Sequence, residues 1–306
     1  MKYILEGVQE VESGRYIQRS YLIHGHKVSY VSERSRRLKH VKVNTDGFTL
    51  KAGYIMNDYQ LLTQMSYSTS KLKIKQLIEK GCTTVITYCN VNYHHELKSK
   101  LRKARHQMIN SAIDYVIGIT VPSAALNPEL IRACKHELVP VIRVTFHDSC
   151  DIRQIQWQRI NEAMMTYSPV IIPVRENEND LKKKQVDKER EYWNRLMNQY
   201  RIPTTQDLPE HTPLSKLACK KIGLYPSKGE LVVGSELDYN LFQQKGQSEI
   251  VAEDDEFLYD KDKPDIVVAK GTVLKAGEHV YYRPGMGREF KVKLPGHFLP
   301  ITEAYS

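Results

Sequence analysis

The chain has 306 residues, of which 41% are hydrophobic, and a formal net charge of +9. That length and hydrophobic content suffice for one large domain or two modest ones. No apolar run reaches the roughly 20 residues of a membrane-spanning helix, and the first residues carry acids where a signal peptide has an apolar core. The five cysteines form no C-x-x-C pair, which is typical of reduced thiols. We therefore expect a cytoplasmic protein without a membrane segment.

The first 52 residues are rich in short β-strand patterns separated by glycine and charged turns. His24 and His26 flank Gly25, and a glycine between two histidines favours a turn over a metal-binding pair. The predicted strands are Tyr3–Leu5, Tyr16–Gln18, Tyr21–Ile23, Val28–Val31 and Val41–Val43.

From Gly53 onward, strand and helix patterns alternate with a repeat of roughly 25 to 30 residues, which is typical of a parallel sheet or barrel. An eight-unit barrel needs about 250 residues, so the chain up to Leu208 has room for about five units. The predicted strands are Tyr54–Met56, Thr83–Tyr88, Tyr115–Thr120, Val139–Phe146 and Pro169–Val174. The predicted helices are Lys71–Lys80, Glu96–Ser111, Pro128–Glu137 and Ile152–Thr166.

A charged segment follows, and Trp193 and Met197 mark one apolar face of a long helix ending near Tyr200. Five parallel strands leave an open sheet edge, and such an edge has to be covered. The cover expected here is this helix, the small β-domain or a second copy of the protein. We expect self-association to close the open side.

The passage from Val43 to Leu62 resembles the junction between the small β-domain and the first barrel strand in the amidohydrolase superfamily, in its dihydroorotase and hydantoinase branch. The family pattern is D-x-x-G-x-x-x-x-P-G-F-I-D-x-H-x-H. Gly47 and Gly53 stand at its glycines, whereas Asp58 and Gln60 stand at its two histidines.

A second, more extensive resemblance begins at Leu217 and follows the closing passage of the same family. The matching residues are Gly223, Leu224, Pro226, Lys228, Gly229, Gly234, Ser235 and Asp238, with Glu236 in place of the first Asp. The resemblance implies an α/β plus β fold: an incomplete (β/α) TIM-type barrel, residues 53–228, and a composite β-sandwich from residues 1–52 and 229–306.

The resemblance also implies a centre of one or two divalent ions, and this chain departs from its ligand set. Val174 stands at the ligand histidine of strand five, and the nearest basic residue on strand four is Arg143, which cannot be carbamylated as the family's lysine often is. Asp58 and Gln60 leave room for a weakly bound hard ion such as Mg²⁺, but not for a nitrogen-rich zinc site. We therefore predict no bound cofactor.

Polar residues do follow several predicted strands, where parallel sheets place their ligand sites. A relocated catalytic site would draw on Asp58, His147, Asp148 and Glu176; the alternative for His147 and Asp148 is a helix cap. Residues 207–212, DLPEHT, resemble the family's D-H-A-P-H-T of strand eight, and Pro209 favours a plain loop instead.

Five basic residues crowd one predicted helix: Lys98, Lys100, Arg102, Lys103 and Arg105. A solvated helix face is the expected reading, and binding of nucleic acid is the alternative that remains open.

Taken together, these patterns predict a degenerate amidohydrolase-like protein that acts as a non-catalytic binding or scaffold protein. The alternative is a metal-dependent hydrolase of non-peptide C–N bonds with an altered metal site.

Overall fold

The computed structural model describes residues 2–12, 15–33, 40–63, 66–147, 149–176, 183–244 and 263–296. Within them the chain forms two separate sheets, one mixed and one parallel. Among the described helices, none combines the length and the hydrophobicity that a membrane crossing requires.

A mixed sheet of nine strands draws on both ends of the chain. Strand β5, from the N-terminal part of the chain, pairs antiparallel with β11, from the C-terminal part. This pair joins the two parts of the sheet. Leu50, Ile23 and Leu237 lie in the hydrophobic cluster on this sheet. The strands are β1 (Lys2–Glu12), β2 (Arg15–His24), β3 (Lys27–Ser32), β4 (Val41–Asn44), β5 (Phe48–Ala52), β11 (Tyr239–Gln243), β12 (Ile266–Ala269), β13 (Thr272–Ala276) and β14 (His279–Val280).

The second sheet is a five-stranded parallel sheet that curls as a half-barrel, in the order β10-β9-β8-β7-β6. This confirms the predicted incomplete TIM barrel joined to a β-sandwich domain. Its strands are buried on both faces, which is why they read as nearly continuous apolar runs. They are β6 (Tyr54–Asp58), β7 (Cys82–Asn90), β8 (Asp114–Pro122), β9 (Val141–Phe146) and β10 (Val170–Arg175).

Most of the helices lie on the outer face of the half-barrel. Asn127 caps one of them as predicted, since its side chain accepts a hydrogen bond from the Leu130 amide at 2.9 Å. The helices are α1 (Tyr67–Glu79), α2 (Leu97–Gln107), α3 (Pro128–Glu137), α4 (Ser149–Gln154), α5 (Trp157–Met164), α6 (Lys183–Tyr200) and α7 (Lys216–Ile222).

Two predicted regions differ from the structure. The two short strands predicted at 16–18 and 21–23 are one strand, β2, because the pairing with β1 continues past a register shift between them. The single helix predicted over 152–166 is broken into α4 and α5. There the Trp157 indole N–H donates to the Ile152 carbonyl at 3.0 Å, which takes up a carbonyl that a continuous helix would use itself.

The inner face of the half-barrel is filled by α7 and the residues around it. Leu208, Ile222 and Leu224 pack there against strand residues such as Ile86 and Val116. Each fully buried side chain of this kind stabilises the fold by about 1.5–3 kcal/mol. Other segments of the same chain therefore cover the inner face of the half-barrel.

Residues 203–214, here called the bridging segment, reach both edges of this sheet. At the β10 edge, the Ile171 amide donates to the Pro203 carbonyl at 2.9 Å. At the β6 edge, the Leu214 amide donates to the Ile55 carbonyl at 2.8 Å and the His211 amide to the Asn57 carbonyl at 3.0 Å. One short segment thus hydrogen-bonds to both open edges, a cover that was not among those expected.

Candidate functional site

The polar residues at the carboxyl ends of the parallel strands form one group, here called the strand-end cluster: Asn57, Tyr59, Tyr88, Arg143 and Asp207. They come from β6 and the turn after it, from β7, from β9 and from the bridging segment. Parallel sheets commonly bind ligands at this edge.

Alternation along β6 decides which side chains enter this cluster. Ile55 and Tyr59 pack with the inner hydrophobic cluster, whereas Met56 packs with the outer one. Because successive side chains of a strand point to opposite faces, Asn57 is on the inner face and Asp58 is on the helix side. Asp58 accordingly lies 4.0 Å from Lys73 of α1.

The Arg143 guanidinium is the centre of the strand-end cluster. Its central carbon lies 3.5 Å from the centre of the Tyr59 ring and 5.4 Å from that of Tyr88. It also donates a hydrogen bond to Asp207 Oδ2 at 3.3 Å. Stacking on aromatic faces suits the planar guanidinium, so these contacts hold Arg143 in place.

Both tyrosines stay neutral in this surrounding. Burial raises the pKa of Tyr59 above its usual range, and the Arg143 cation does not offset that effect. Burial also raises the pKa of Tyr88. The Tyr59 hydroxyl contacts Asp207 Oδ1 at 2.7 Å and the Leu208 carbonyl.

Three buried polar atoms of the cluster have no hydrogen-bond partner within the described residues: Tyr88 Oη, Arg143 Nε and Asn57 Oδ1. Gly118 on β8 makes the space for Tyr88, since a Cβ at Gly118 would lie 2.7 Å from Tyr88 Cε1. Unpaired buried donors and acceptors are costly, so such atoms normally meet water or a ligand.

The strand-end residues do not fit a divalent metal. Neutral phenols are poor ligands, the Arg143 cation repels a second positive charge, and Val174 packs with the inner hydrophobic cluster. Asp207 is the one carboxylate among the five residues of the cluster, and Arg143 already holds it.

Within the described part of the chain, one acidic group has the spacing to hold a metal: Asp114, Glu236 and Asp238. Their carboxylates surround the buried Lys228 ammonium at 2.7, 2.6 and 2.6 Å. Burial by itself lowers the pKa of Lys228, but the three carboxylates outweigh it and raise that pKa. The lysine therefore occupies the place that a metal would take.

Asp58, the first of the four predicted catalytic residues, contacts His211 of the bridging segment. It is fully buried, and its Oδ2 lies 2.8 Å from His211 Nε2. Its Oδ1 accepts the Gln60 amide at 2.9 Å. His211 has a backbone φ of +56°, a conformation that costs free energy for a residue with a side chain.

His147 and Glu176 do come together, at the ends of β9 and β10. His147 Nδ1 lies 3.2 Å from Glu176 Oε2, and both side chains are well exposed. The His147 amide donates to Asp151 Oδ2 at 2.8 Å, so a side chain of α4 holds the end of β9. Asp148 lies outside the described residues.

Sequence reasoning missed Tyr59, Tyr88 and the partnership of His211 with Asp58. The resemblance of residues 207–212 to the strand-eight motif was the available signal. The structure places Glu210 in a parallel bridge with Asn57 of β6, so this stretch lies beside the first barrel strand.

No family model matches the sequence. No curated protein matches it either. Similar solved structures do exist, and they span nearly the whole chain. Dihydropyrimidinase from Brevibacillus agri NCHU1002 has a TM-score of 0.64 at 13% identity, covering 98% of this chain and 100% of that one.

D-hydantoinase from Bacillus sp. AR9 has a TM-score of 0.69 at 11% identity, covering 96% of this chain and 99% of that one. L-hydantoinase (dihydropyrimidinase) from Arthrobacter aurescens has a TM-score of 0.53 at 12% identity, covering 93% and 98%. At such identities the likeness shows the fold. The chain therefore has the fold of these hydantoinases and dihydropyrimidinases, built on 306 residues.

Proposed function

We propose that this protein is a non-catalytic binding or scaffold protein built on a hydantoinase-like fold. The observation that carries the proposal is the position of Arg143, stacked 3.5 Å from the Tyr59 ring and paired with Asp207 at the strand ends. A guanidinium in that position takes the place of the cation that metal hydrolysis needs.

The physical argument concerns charge and ligand type. Metal-assisted hydrolysis needs an ion that lowers the pKa of a bound water. A guanidinium is a cation that does not serve as a base, and Arg143 disfavours a divalent ion nearby. The neighbouring phenols are neutral because burial raises their pKa.

Two further parts of the proposal concern location and assembly. The described cysteines form no disulfide, which supports a reducing compartment such as the cytoplasm. Self-association stays a prediction, and the bridging segment removes the need for a second copy at the sheet edges.

The test is metal analysis and a ring-opening assay on full-length protein purified without chelator. We expect a divalent-metal content well below one ion per chain and no ring opening of hydantoin or dihydrouracil, with or without added Zn²⁺ or Mn²⁺. A stoichiometric ion that is lost in Asp207→Ala, together with ring opening, would overturn the proposal.

The second candidate is a hydrolase of non-peptide C–N bonds with an altered site. The likeness to proteins named hydantoinase and dihydropyrimidinase favours it, as does the pairing of His211 with the buried Asp58 at 2.8 Å. A histidine held by a carboxylate is a common general base. Ring opening abolished by His211→Ala, in protein that is still folded at the assay temperature, would favour this candidate.

A further inference from the structure

Helix α2 has a charge pattern that its own stability does not explain. It contains five Lys and Arg residues and no acid. Lys98 and Lys100 lie in its first turn, where the helix dipole disfavours cations. Lys98 and Arg102 are four residues apart, a spacing at which like charges repel each other.

These cations face solvent. Leu97, Leu101 and Ala104 bury the other side of α2. The four side chains that point outward are all exposed, and none forms an ion pair with a described residue: Lys98, Lys100, Arg102 and Lys103.

Arg105, on the same helix, differs from these four residues because acidic side chains neutralise its charge. Its guanidinium pairs with Glu137 at 2.9 Å and with Glu289 at 3.0 Å. These two acids near the carboxyl end of α2 therefore pair with Arg105. They do not neutralise the four outward-pointing cations.

The tertiary structure adds more positive charge at this end of α2. The Tyr282 hydroxyl donates to the Asn110 carbonyl at 2.7 Å, and the Gly287 amide donates to the Ser111 carbonyl at 2.9 Å. These bonds lay residues 282–289 beside the end of α2. Arg283 and Arg288 on this stretch are both exposed.

An exposed tyrosine lies near each end of the basic helix. Tyr93, just before it, is 62% exposed and stacks on His95 with the ring centres 5.5 Å apart. Tyr281, next to the anchored Tyr282, is 47% exposed. The helix between them is about 16 Å long for its 11 residues.

We propose that this surface, defined by Tyr93, the outward face of α2, Tyr281, Arg283 and Arg288, binds single-stranded nucleic acid. Unpaired lysines and arginines meet the phosphates and release their counterions. Exposed tyrosines stack on unpaired bases, which a duplex does not offer. An acidic protein partner would use the charges and have no need of the tyrosines. This surface shares no residue with the strand-end cluster.

The experiment is fluorescence anisotropy with full-length protein and labelled 20-nucleotide single strands of DNA and RNA, at 50 to 200 mM salt. We expect binding whose log affinity falls with log salt. In the triple variant Lys98→Gln, Arg102→Gln, Lys103→Gln, the slope should become shallower by about 2, from 0.7 per phosphate contact, and affinity at 50 mM should drop at least tenfold. Tyr93→Ala and Tyr281→Ala should each weaken binding about tenfold and leave the slope unchanged.

The matched control removes three exposed charges from α6 and the residue after it, as Lys188→Gln, Arg195→Gln, Arg201→Gln. It should bind as the wild type does. Thermal unfolding of the α2 variant should be unchanged or shifted upward, since the change removes unfavourable charges. Absence of binding at 50 mM salt, equal loss in the α6 control, or equal binding of duplex with no effect of the tyrosine variants would each overturn the proposal.

Discussion

The Arg143 guanidinium carbon lies 3.5 Å from the centre of the Tyr59 ring, and the same group is hydrogen-bonded to Asp207 of the bridging segment. One cation thus joins β9 to the turn after β6 and to the segment that covers the sheet edges. The Arg143 side chain therefore links three segments of the structure. Its removal should lower the stability of the fold by a measurable amount.

Arg143→Ala should lower the free energy of unfolding by about 2 kcal/mol, because it removes a cation–π contact and leaves Asp207 without its partner. Arg143→Lys should recover part of this loss, since lysine keeps the charge and loses the planar stack. Urea denaturation measures both. Arg153→Ala is the matched control, because that exposed guanidinium lies 5.5 Å from the Tyr192 ring. An equal loss in all three variants would contradict the prediction.

Asp58 and His211 should be energetically coupled. In a double-mutant cycle of Asp58→Asn and His211→Ala we expect a coupling of about 1–2 kcal/mol, because the carboxylate is fully buried and its Oδ2 lies 2.8 Å from the ring nitrogen. The pair Arg132–Glu129 is the control cycle and should give less than about 1 kcal/mol, since its side chains are 61% and 57% exposed. A coupling energy of the same size in both cycles would show that the burial of Asp58 does not strengthen its interaction with His211.

Asp114 should make stability depend on pH in the acid range. Burial by itself raises the pKa of Asp114, but Lys228 and Lys270 outweigh it, so the folded-state pKa lies below the ordinary 3.8. The unfolded chain therefore takes up this proton first, and the stability from Asp114 is present above pH 3.8 and lost as pH falls through the folded-state pKa.

The measurement is the free energy of unfolding of wild type and Asp114→Asn between pH 2 and 7. The difference between the two should stay constant at the upper end and shrink toward the acid end. A difference that grows as pH falls would mean that burial dominates this pKa.

Leu208 anchors the bridging segment in the inner hydrophobic cluster. Leu208→Ala should cost about 2–4 kcal/mol, since it leaves a cavity beneath the segment. Leu72→Ala on α1 is the control, because Leu72 is 56% exposed and should cost well under 1 kcal/mol. If both leucines gave the same small change in urea denaturation, the segment would contribute little to the closure of the half-barrel.

Local patterns predicted the elements well where periodicity and capping agree. The strand-helix repeat from Gly53 predicted five parallel strands, and the described part of the chain contains five. Asn127 and Pro128 predicted the start of α3, and the Asn127 side chain caps that helix. The break between α4 and α5 was not predicted, because it involves the Trp157 indole taking a backbone carbonyl that periodicity does not register.

The candidate site was predicted less well, for a reason that lies in geometry. Asp58 was placed in a shared site with His147, Asp148 and Glu176; the structure joins His147 with Glu176, and Asp148 lies outside the described residues. A strand turns successive side chains to opposite faces, so Asp58 reaches Lys73 on the helix side. The spacing of residues along one strand does not tell which of its two faces lies beside the ends of the neighbouring strands.

The sequence by itself determined the fold, because glycines, apolar runs and the closing motif around Lys228 act over short distances along the chain. Only the tertiary structure decided what the fold contains at its strand ends. Arg143, Tyr59 and Asp207 are far apart in sequence, and their contact depends on how the bridging segment crosses the half-barrel. The same holds for the basic surface, where residues 282–289 reach the end of α2 through hydrogen bonds that span more than 170 positions. Contacts between distant segments form only when the whole chain has packed, so no local sequence pattern predicts them.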